Sequence, residues 1–575
     1  MKKSQEYNQN KVRILITLFF LVIIFPTNKF AQSDTIQTNV PKLKDVYAND
    51  FYIGCLLSYR HVGFPDDPYV PGQSSVIAPN GGNLIKFHMN SMGPGNNMKP
   101  QYTVNLTASA AAYSAAAPAD KDSVDTHPVI RFNGDLIAQL NWAKRQGFTF
   151  RGHTLVWHSQ TPGTAFFRSG YTSGGTRLTK EKMTQRMENY IKEVIRLLHE
   201  DWPDLLTAMD VVNEAVTDNG NDRTTDSEWY VTFGDNSYLI KAFEFARKYS
   251  VQYGETQMKL YYNDYNTHIS NKADGIVRIC TPIYQAGYLD GIGMQDHDAN
   301  SSPTAAQWIA SYNKFYPFCT EMAVTELDVN PGSGTPTPSA LQTQANQYGM
   351  LFKCFVERSY KSGRGKIINV SKDGLNDQYA FVVNASLWDS QNKCKPAFYS
   401  SVNVGINYNQ LDSLITFADS LLESNYTNES WLPFSISLAS AKNIISKNYS
   451  NSVSAADSLS YANNSLSAAI SGLVLMSTGV SAEINNFPLE YYLAQNYPNP
   501  FNPSTHIDYS IPEEEYISLK VYDLLGREVL TLFEGTSQPG IYSVTLDAAG
   551  LASGTYVYQL KANNFIETKK LMLLK

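Results

Sequence analysis

Several features are scarce in this chain of 575 residues. It has five cysteines, at positions 55, 280, 319, 354 and 394, and none forms a CxxC pair. So few, in an odd number, exclude a disulfide framework and a thiolate metal centre; one or two bridges stay open. No long basic run occurs and the formal charge is −7, which argues against nucleic acid as a partner. The apolar run at residues 14–25 is too short to span a bilayer comfortably. It follows Lys2, Lys3, Lys11 and Arg13 and stops at Pro26, the order of a secretory signal. A signal peptide is expected over residues 1–31, cut after Ala31, with no integral membrane segment in the mature protein. Internal repeats and long low-complexity linkers are missing too.

Aromatic residues, by contrast, are plentiful. Tyrosine alone contributes 37 residues, which suits an extracellular protein that handles polar ligands. The length predicts two to four units. Over residues 45–404, short apolar runs alternate with amphipathic stretches. Strands are expected to begin near Phe51, Leu84, Phe148, Leu205, Lys259, Gly291, Met322 and Ile367. Residues 238–249, with Leu239, Phe243 and Ala246 at helical spacing, typify the segments between them. Eight such units predict an α/β fold, a (β/α)8 TIM barrel with insertions. Residues 410–476 hold apolar positions at helical spacing and a single glycine, Gly472, and are expected to form a small three-helix bundle. From 491 to 575 the period changes to two, as in Ile517, Leu519 and Val521, with glycines between the runs. This predicts a C-terminal Ig-like β-sandwich.

Within the barrel pattern, one aliphatic run, Val211 and Val212, ends in Asn213 and Glu214; another, in AVTELDV, ends in Glu326. Chemistry in a barrel sits at the C-terminal strand ends. Two carboxylates facing each other across that mouth are what glycosidic cleavage needs, one protonated to assist the leaving oxygen and one ionised to attack. Either glutamate alone would read as a solvated charge. The neighbours alter that reading. Asn213 can bond a sugar 2-hydroxyl, and His297 with Asp328 can form a chain that orients Glu326 and keeps it ionised.

The motifs RGHTLVWHSQTP (151–162), DVVNEA (210–215), LYYNDYN (260–266), DGIGMQDH (290–297) and TELDV (325–329) together resemble glycoside hydrolase family 10, the endo-β-1,4-xylanases. The resemblance covers roughly residues 48–404. It implies a retaining reaction on xylan or xylooligosaccharides, with Glu214 as acid/base and Glu326 as nucleophile, and no cofactor or metal. It also implies that Asn96 and Lys99 of GNNMKP, with His153 and Trp157, line the glycone side, and that Asn213, Gln295 and His297 surround the bond being broken. Three positions depart from the family pattern. Gly95 stands where relatives have a sugar-binding glutamate, and Asp373 and Phe381 stand where they have tryptophan.

The segments YTNESWLPF (426–434) and SAAISGLVL (467–475) resemble the FIVAR module of surface-associated carbohydrate enzymes. The tail, with LAQNYPNPFNPSTHIDYSIP (493–512), VYDLLGREV (521–529) and SGTYVYQL (553–560), resembles the C-terminal sorting domain of type IX secretion. That implies the type IX machinery as a partner and a secreted, extracellular or outer-surface location in a Gram-negative bacterium. Another β-1,4-glycanase activity, on cellulose or mixed-linkage glucan, and a non-catalytic xylan-binding role remain the alternatives.

Overall fold

A computed structural model describes residues 36–57, 70–71, 80–359, 365–379, 382–450, 452–476, 491–496, 499, 501–524, 526–563 and 565–573. The signal expected at 1–31 and the departure at Phe381 lie outside these residues. The chain divides into two units, either side of residues 475 and 476.

In the first unit eight parallel strands close on themselves. They are β1 (Tyr52–Leu57), β2 (Ser91–Pro94), β3 (Thr149–Trp157), β4 (Leu206–Asn213), β5 (Lys259–Asp264), β6 (Gly291–Met294), β8 (Glu321–Asn330) and β9 (Lys366–Asp373). Pairing of β6 with β8, and of β9 with β1, completes the barrel. A short extra strand, β7 (His297–Ala299), pairs in parallel with the far end of β8. Helices follow the strands in turn: α1 (Gly81–His88), α2 (Gly134–Gln146), α3 (Lys180–Asp201), α4 (Ser237–Tyr253), α5 (Ser270–Gln285), α6 (Ala305–Phe315), α7 (Pro338–Glu357) and α8 (Pro396–Asp419).

Local sequence accounts for these helices. In α3, Met183, Met187, Tyr190, Ile191, Val194, Ile195 and Leu198 recur at helical spacing and are all buried. Thr304 and Gln307 form a reciprocal capping box at the start of α6. α2 ends where Gly147 takes the left-handed conformation (φ 68°) that closes a helix at low cost.

One expected strand is corrected. The run at Leu84 is helical, not extended: Leu84, Ile85 and His88 fall on one face of α1 and are buried. The true second strand is the four-residue SMGP that follows, too short to show a period. The 410–476 segment contains three helical stretches. Its first helix is α8, which starts at Pro396 inside the barrel wall and continues unbroken to Asp419. Helices α9 (Asn428–Ser446) and α10 (Ala455–Ser471) pack on it, and Phe434, Ala441, Leu459 and Leu466 join the apolar core that also holds the barrel helices. All five cysteines are free, so neither of the bridges left open by the sequence forms.

The second unit consists of two antiparallel sheets. The first holds β10 (Tyr492–Leu493), β11 (Ser504–Ile511) and β14 (Gly540–Asp547); the second holds β12 (Glu515–Tyr522), β13 (Glu528–Ser537), β15 (Gly554–Ala562) and β16 (Phe565–Leu573). Ile507 and Tyr509 from one sheet and Ile517, Leu519, Val521 and Leu560 from the other are buried in one core, which is the alternation read from the sequence.

Between β2 and α2 an insertion adds short helices at Leu106–Ala115 and Lys121–Thr126. A fully buried Arg186 from α3 anchors it. The guanidinium pairs with Asp125 Oδ1 at 2.7 Å and donates to the carbonyls of Asp125 and Arg168. Removing the arginine leaves a carboxylate buried without its countercharge. Arg186→Ala is therefore expected to lower the unfolding free energy by about 3 kcal/mol or more. Urea denaturation measures it, and a change within error of zero would show that Asp125 finds other donors.

Candidate active site

The C-terminal strand ends open into a cleft of about 1150 Å³, whose wall includes Asn96, Lys99, His153, Trp157, Glu214, Gln295, His297 and Glu326. Nine of the ten residues singled out from the sequence therefore gather at one place, counting Asn213 beneath Glu214; the tenth, Asp328, lies buried behind His297.

Glu214 follows the last residue of β4 and has φ 53°. A left-handed glutamate costs on the order of 1 kcal/mol. The turn is held from several sides. Glu214 N donates to Asn263 O (2.9 Å), Arg223 Nε donates to Glu214 O (2.7 Å), and Ala215 N donates to Tyr262 Oη (3.0 Å). Its carboxylate accepts from Trp157 Nε1 (2.9 Å) on one oxygen, and from Gln295 Nε2 (2.9 Å) and Asn213 Nδ2 (3.2 Å) on the other.

Glu326 sits inside β8. Its amide donates to Gln295 O at 3.0 Å. Oε1 accepts from Asn263 Nδ2 (3.0 Å), and Oε2 lies 3.4 Å from His297 Nε2. His297 Nδ1 is 3.0 Å from Asp328 Oδ2, because the β7–β8 register sets His297 opposite Asp328. Burial alone would push the Glu326 carboxyl up. The hydrogen bond from His297 and the positive charges of His153, His297 and Lys99 outweigh it and bring the carboxyl down to about 2. Burial likewise opposes charge on His297, but bonding to Asp328 and Glu326 raises the imidazole well above its ordinary range.

The two glutamates belong to one network. Asn263 Nδ2 donates to both Glu326 Oε1 and Asn213 Oδ1 (3.0 Å each), and Gln295 Nε2 reaches Asn213 Oδ1 at 3.3 Å. Asn263 is oriented in turn by Thr325 Oγ1 at 2.7 Å. Gly293 makes room for it: a Cβ there would stand 2.4 Å from Asn263 Oδ1.

On the other wall Lys99 Nζ donates to Asn96 Oδ1 (2.8 Å) and Gln160 Oε1 (2.9 Å) and lies 4.6 Å from the centre of a Trp157 ring. Desolvation lowers this lysine, partly offset by Glu326, Glu214 and Asp373. His153 Nδ1 is 2.9 Å from Asp210 Oδ2, the carboxylate that also pairs with buried Arg151. Gly95 and Asp373, two of the three departures, also line the cleft.

Reading by residue type overlooked Asn263, Gln160, Asp210, Tyr265 and Tyr379. Asn263 carried a usable signal, since it follows the aromatic pair in YYND as the first polar residue near the end of β5, much as Asn213 follows the valines of β4. Gln160 carried none: it reaches Lys99 from a loop residue at φ 39°. Chemically, the site holds one carboxylate ionised at the cleft floor and presents a second beside hydrogen-bond donors. That pairing suits displacement at an acetal carbon.

A depressed carboxyl stabilises the fold above its unfolded value, about 4.3, and the contribution is lost as pH falls through about 2. In His297→Ala the hydrogen bond and charge that hold Glu326 ionised are gone. Its titration, followed by carboxyl carbon NMR, is expected to move up by about one unit or more. No movement would assign the depression to His153 and Lys99 alone.

Comparison with known proteins gives a consistent grouping. The profile of Glycosyl hydrolase family 10 matches residues 42–404, and that of the Secretion system C-terminal sorting domain matches residues 495–574. Endo-1,4-beta-xylanase Y of Acetivibrio thermocellus is 32% identical over 432 residues, 70% of this chain. The chain spans only 36% of that protein's length. A putative endo-1,4-beta-xylanase of Caldicellulosiruptor saccharolyticus is 30% identical over 54% of this chain and 98% of its own length. Among solved structures, the CBM22-1–GH10 modules of Clostridium thermocellum endo-1,4-beta-D-xylanase 10B, complexed with xylohexaose, align with a TM-score of 0.54. The match has 30% identity over 66% of this chain and 69% of that one. The intracellular xylanase of Thermoanaerobacterium saccharolyticum aligns with a TM-score of 0.51 and 26% identity, over 64% of this chain and all of its own.

Proposed function

The chain belongs to glycosyl hydrolase family 10, and from that premise we propose that it is a secreted endo-1,4-β-xylanase working by a retaining double displacement. The observation that carries this reading is Glu326, held ionised at the floor of the cleft and joined through Asn263 and Asn213 to the surroundings of Glu214. In the proposed first step Glu326 attacks the anomeric carbon of a xylose ring. A glycosyl ester forms, the glycosidic C–O bond breaks, and Glu214 gives its proton to the departing oxygen. In the second step Glu214 takes a proton from water, the hydroxide attacks the same carbon, and Glu326 leaves as carboxylate.

The surroundings serve these steps. Asn213 is assigned the 2-hydroxyl of the reacting sugar. Gln295 and Trp157 hold the Glu214 carboxyl toward the leaving group, and Asp328 fixes the imidazole of His297 so that its other nitrogen supports the nucleophile. Asn96, Lys99 and His153 are assigned to glycone hydroxyls. No step calls for a metal or cofactor.

The tail carries a sorting domain of secretion systems, and we assign it to type IX secretion from a Gram-negative cell, toward the medium or the outer surface. Among the described residues no helix is long and apolar enough to cross a membrane. The segment made by α9, α10 and the end of α8 is assigned a FIVAR-like spacer role.

Reducing-sugar release from xylan, carboxymethylcellulose and mixed-linkage glucan tests the substrate. Xylan is expected to be hydrolysed far faster than either glucan, and a preference for a glucan would overturn the xylanase reading. Glu326→Ala is expected to lose nearly all turnover on every substrate. Glu214→Ala should fail on xylan yet keep the first step on aryl glycosides with good leaving groups, and azide should restore its turnover as a β-glycosyl azide. Identical responses of the two variants to leaving group and azide would overturn the role assignment. In the native host, a chain lacking residues 491–575 should accumulate in the periplasm. Full recovery of that chain from the medium would remove the sorting role.

A further inference from the structure

Asp373 is the last residue of β9, so it stands on the same rim as the two glutamates and lines the cleft beside Glu326, Lys99 and Tyr379. A ring nitrogen of His297 and one carboxylate oxygen each of Asp328 and Asp373 lie within 4.8 Å of one another. The other two carboxylates in that corner are engaged. Glu326 has Asn263 and His297, and Asp328 has His297. The carboxylate of Asp373 makes no hydrogen bond or ion pair among the described residues. Its position is nonetheless fixed, because its backbone pairs with Leu56 of β1 and its carbonyl accepts from Lys372 Nζ at 3.0 Å.

The carboxyl is partly buried in the cleft wall and has no protein donor among the described residues, which disfavours its charged form. Burial accordingly pushes this one up to about 6, with the charge of Glu326 adding to the effect. The cations of the cleft wall already hold other partners. Lys99 serves Asn96 and Gln160, and His297 serves Asp328 and Glu326. Gly95, across the same cleft, brings no side chain of its own. Water in the open cleft can serve Asp373, and a ligand rich in hydroxyl groups would take over that role.

We propose that Asp373 is a substrate-binding residue that sets specificity, accepting hydrogen bonds from hydroxyls of the sugar at or next to the ring attacked by Glu326. The proposal rests on the xylanase reading above. It selects a neutral ring with free hydroxyls at that place, because a uronic acid there would meet the like charges of Asp373 and Glu326.

The competing account is that Asp373 acts only through its charge on His297 and Glu326. A cycle of protein and substrate changes separates the two. The probes are an aryl β-xylobioside and the set of its monodeoxy analogues, measured as kcat/KM on the wild type, Asp373→Asn and Asp373→Ala. In the wild type, at least one deoxy analogue is expected to lose about tenfold, the size of a charge-assisted hydrogen bond. In Asp373→Ala the same analogue should lose little beyond the parent. Asp373→Asn keeps the shape and one acceptor, so its penalty should fall between the two; this variant decides the matter if the alanine variant does not fold. Equal deoxy penalties in wild type and variants would overturn the proposal, leaving only a charge effect. A folded wild type inactive on the parent xylobioside and on xylan would overturn the xylanase reading instead.

Discussion

The site depends on keeping one carboxylate ionised after removing it from water. Desolvating an ion costs several kcal/mol unless charge and hydrogen bonds are supplied in return. Around Glu326 they come from His297 and Asn263, with His153 and Lys99 acting at longer range. Each supplier needs support of its own. His297 has Asp328, and the short β7 exists where it does because pairing with β8 sets those two residues opposite each other. Asn263 has Thr325 and the space left by Gly293.

The same logic continues downward into the barrel. His153 is tied to Asp210, and Asp210 to Arg151, whose guanidinium lies 4.2 Å from the centre of the Tyr261 ring. The Tyr261 hydroxyl donates to Glu321 at 2.7 Å. The barrel interior is therefore a polar column with its members paired in sequence. Such a column resists rearrangement, since breaking any one link strands a buried charge. The cleft floor inherits that rigidity, which favours a displacement needing fixed geometry.

The other elements are built with less at stake for chemistry. The insertion beyond β2 is anchored by the buried Arg186–Asp125 ion pair, and the segment leading into it puts Lys99 and Tyr102 on the cleft wall. Helices α9 and α10 extend the outer helical layer rather than standing apart, because α8 carries the barrel's apolar core directly into theirs. The sorting tail is self-sufficient: its two sheets bury their own core.

Much was legible without coordinates where a pattern is local and repeated. The switch from helical spacing to strict alternation near residue 491 announced the tail, and aliphatic runs ending in Asn213–Glu214 and in Glu326 announced the two carboxylates of the cleft, although Glu326 falls inside β8 and not at its end as the run suggested. The Leu84 run misled because one buried helical turn and a half shows the same short block of apolar residues as a strand, and SMGP is too brief to show any period. The family match ends at residue 404, while α8 runs unbroken across that point to Asp419, and a continuous helix gives no local sign of passing from one neighbour to the next. Residue order alone could name His297, Asp328 and Glu326 but not the register that stacks them, nor the union of Asn213, Asn263 and Gln295 into one network. Those depend on strands distant in the chain closing into a barrel. Hydrogen-bond distances, the depressed Glu326 carboxyl and the place of Asp373 on the cleft wall exist only after that closure, so the tertiary structure decided them.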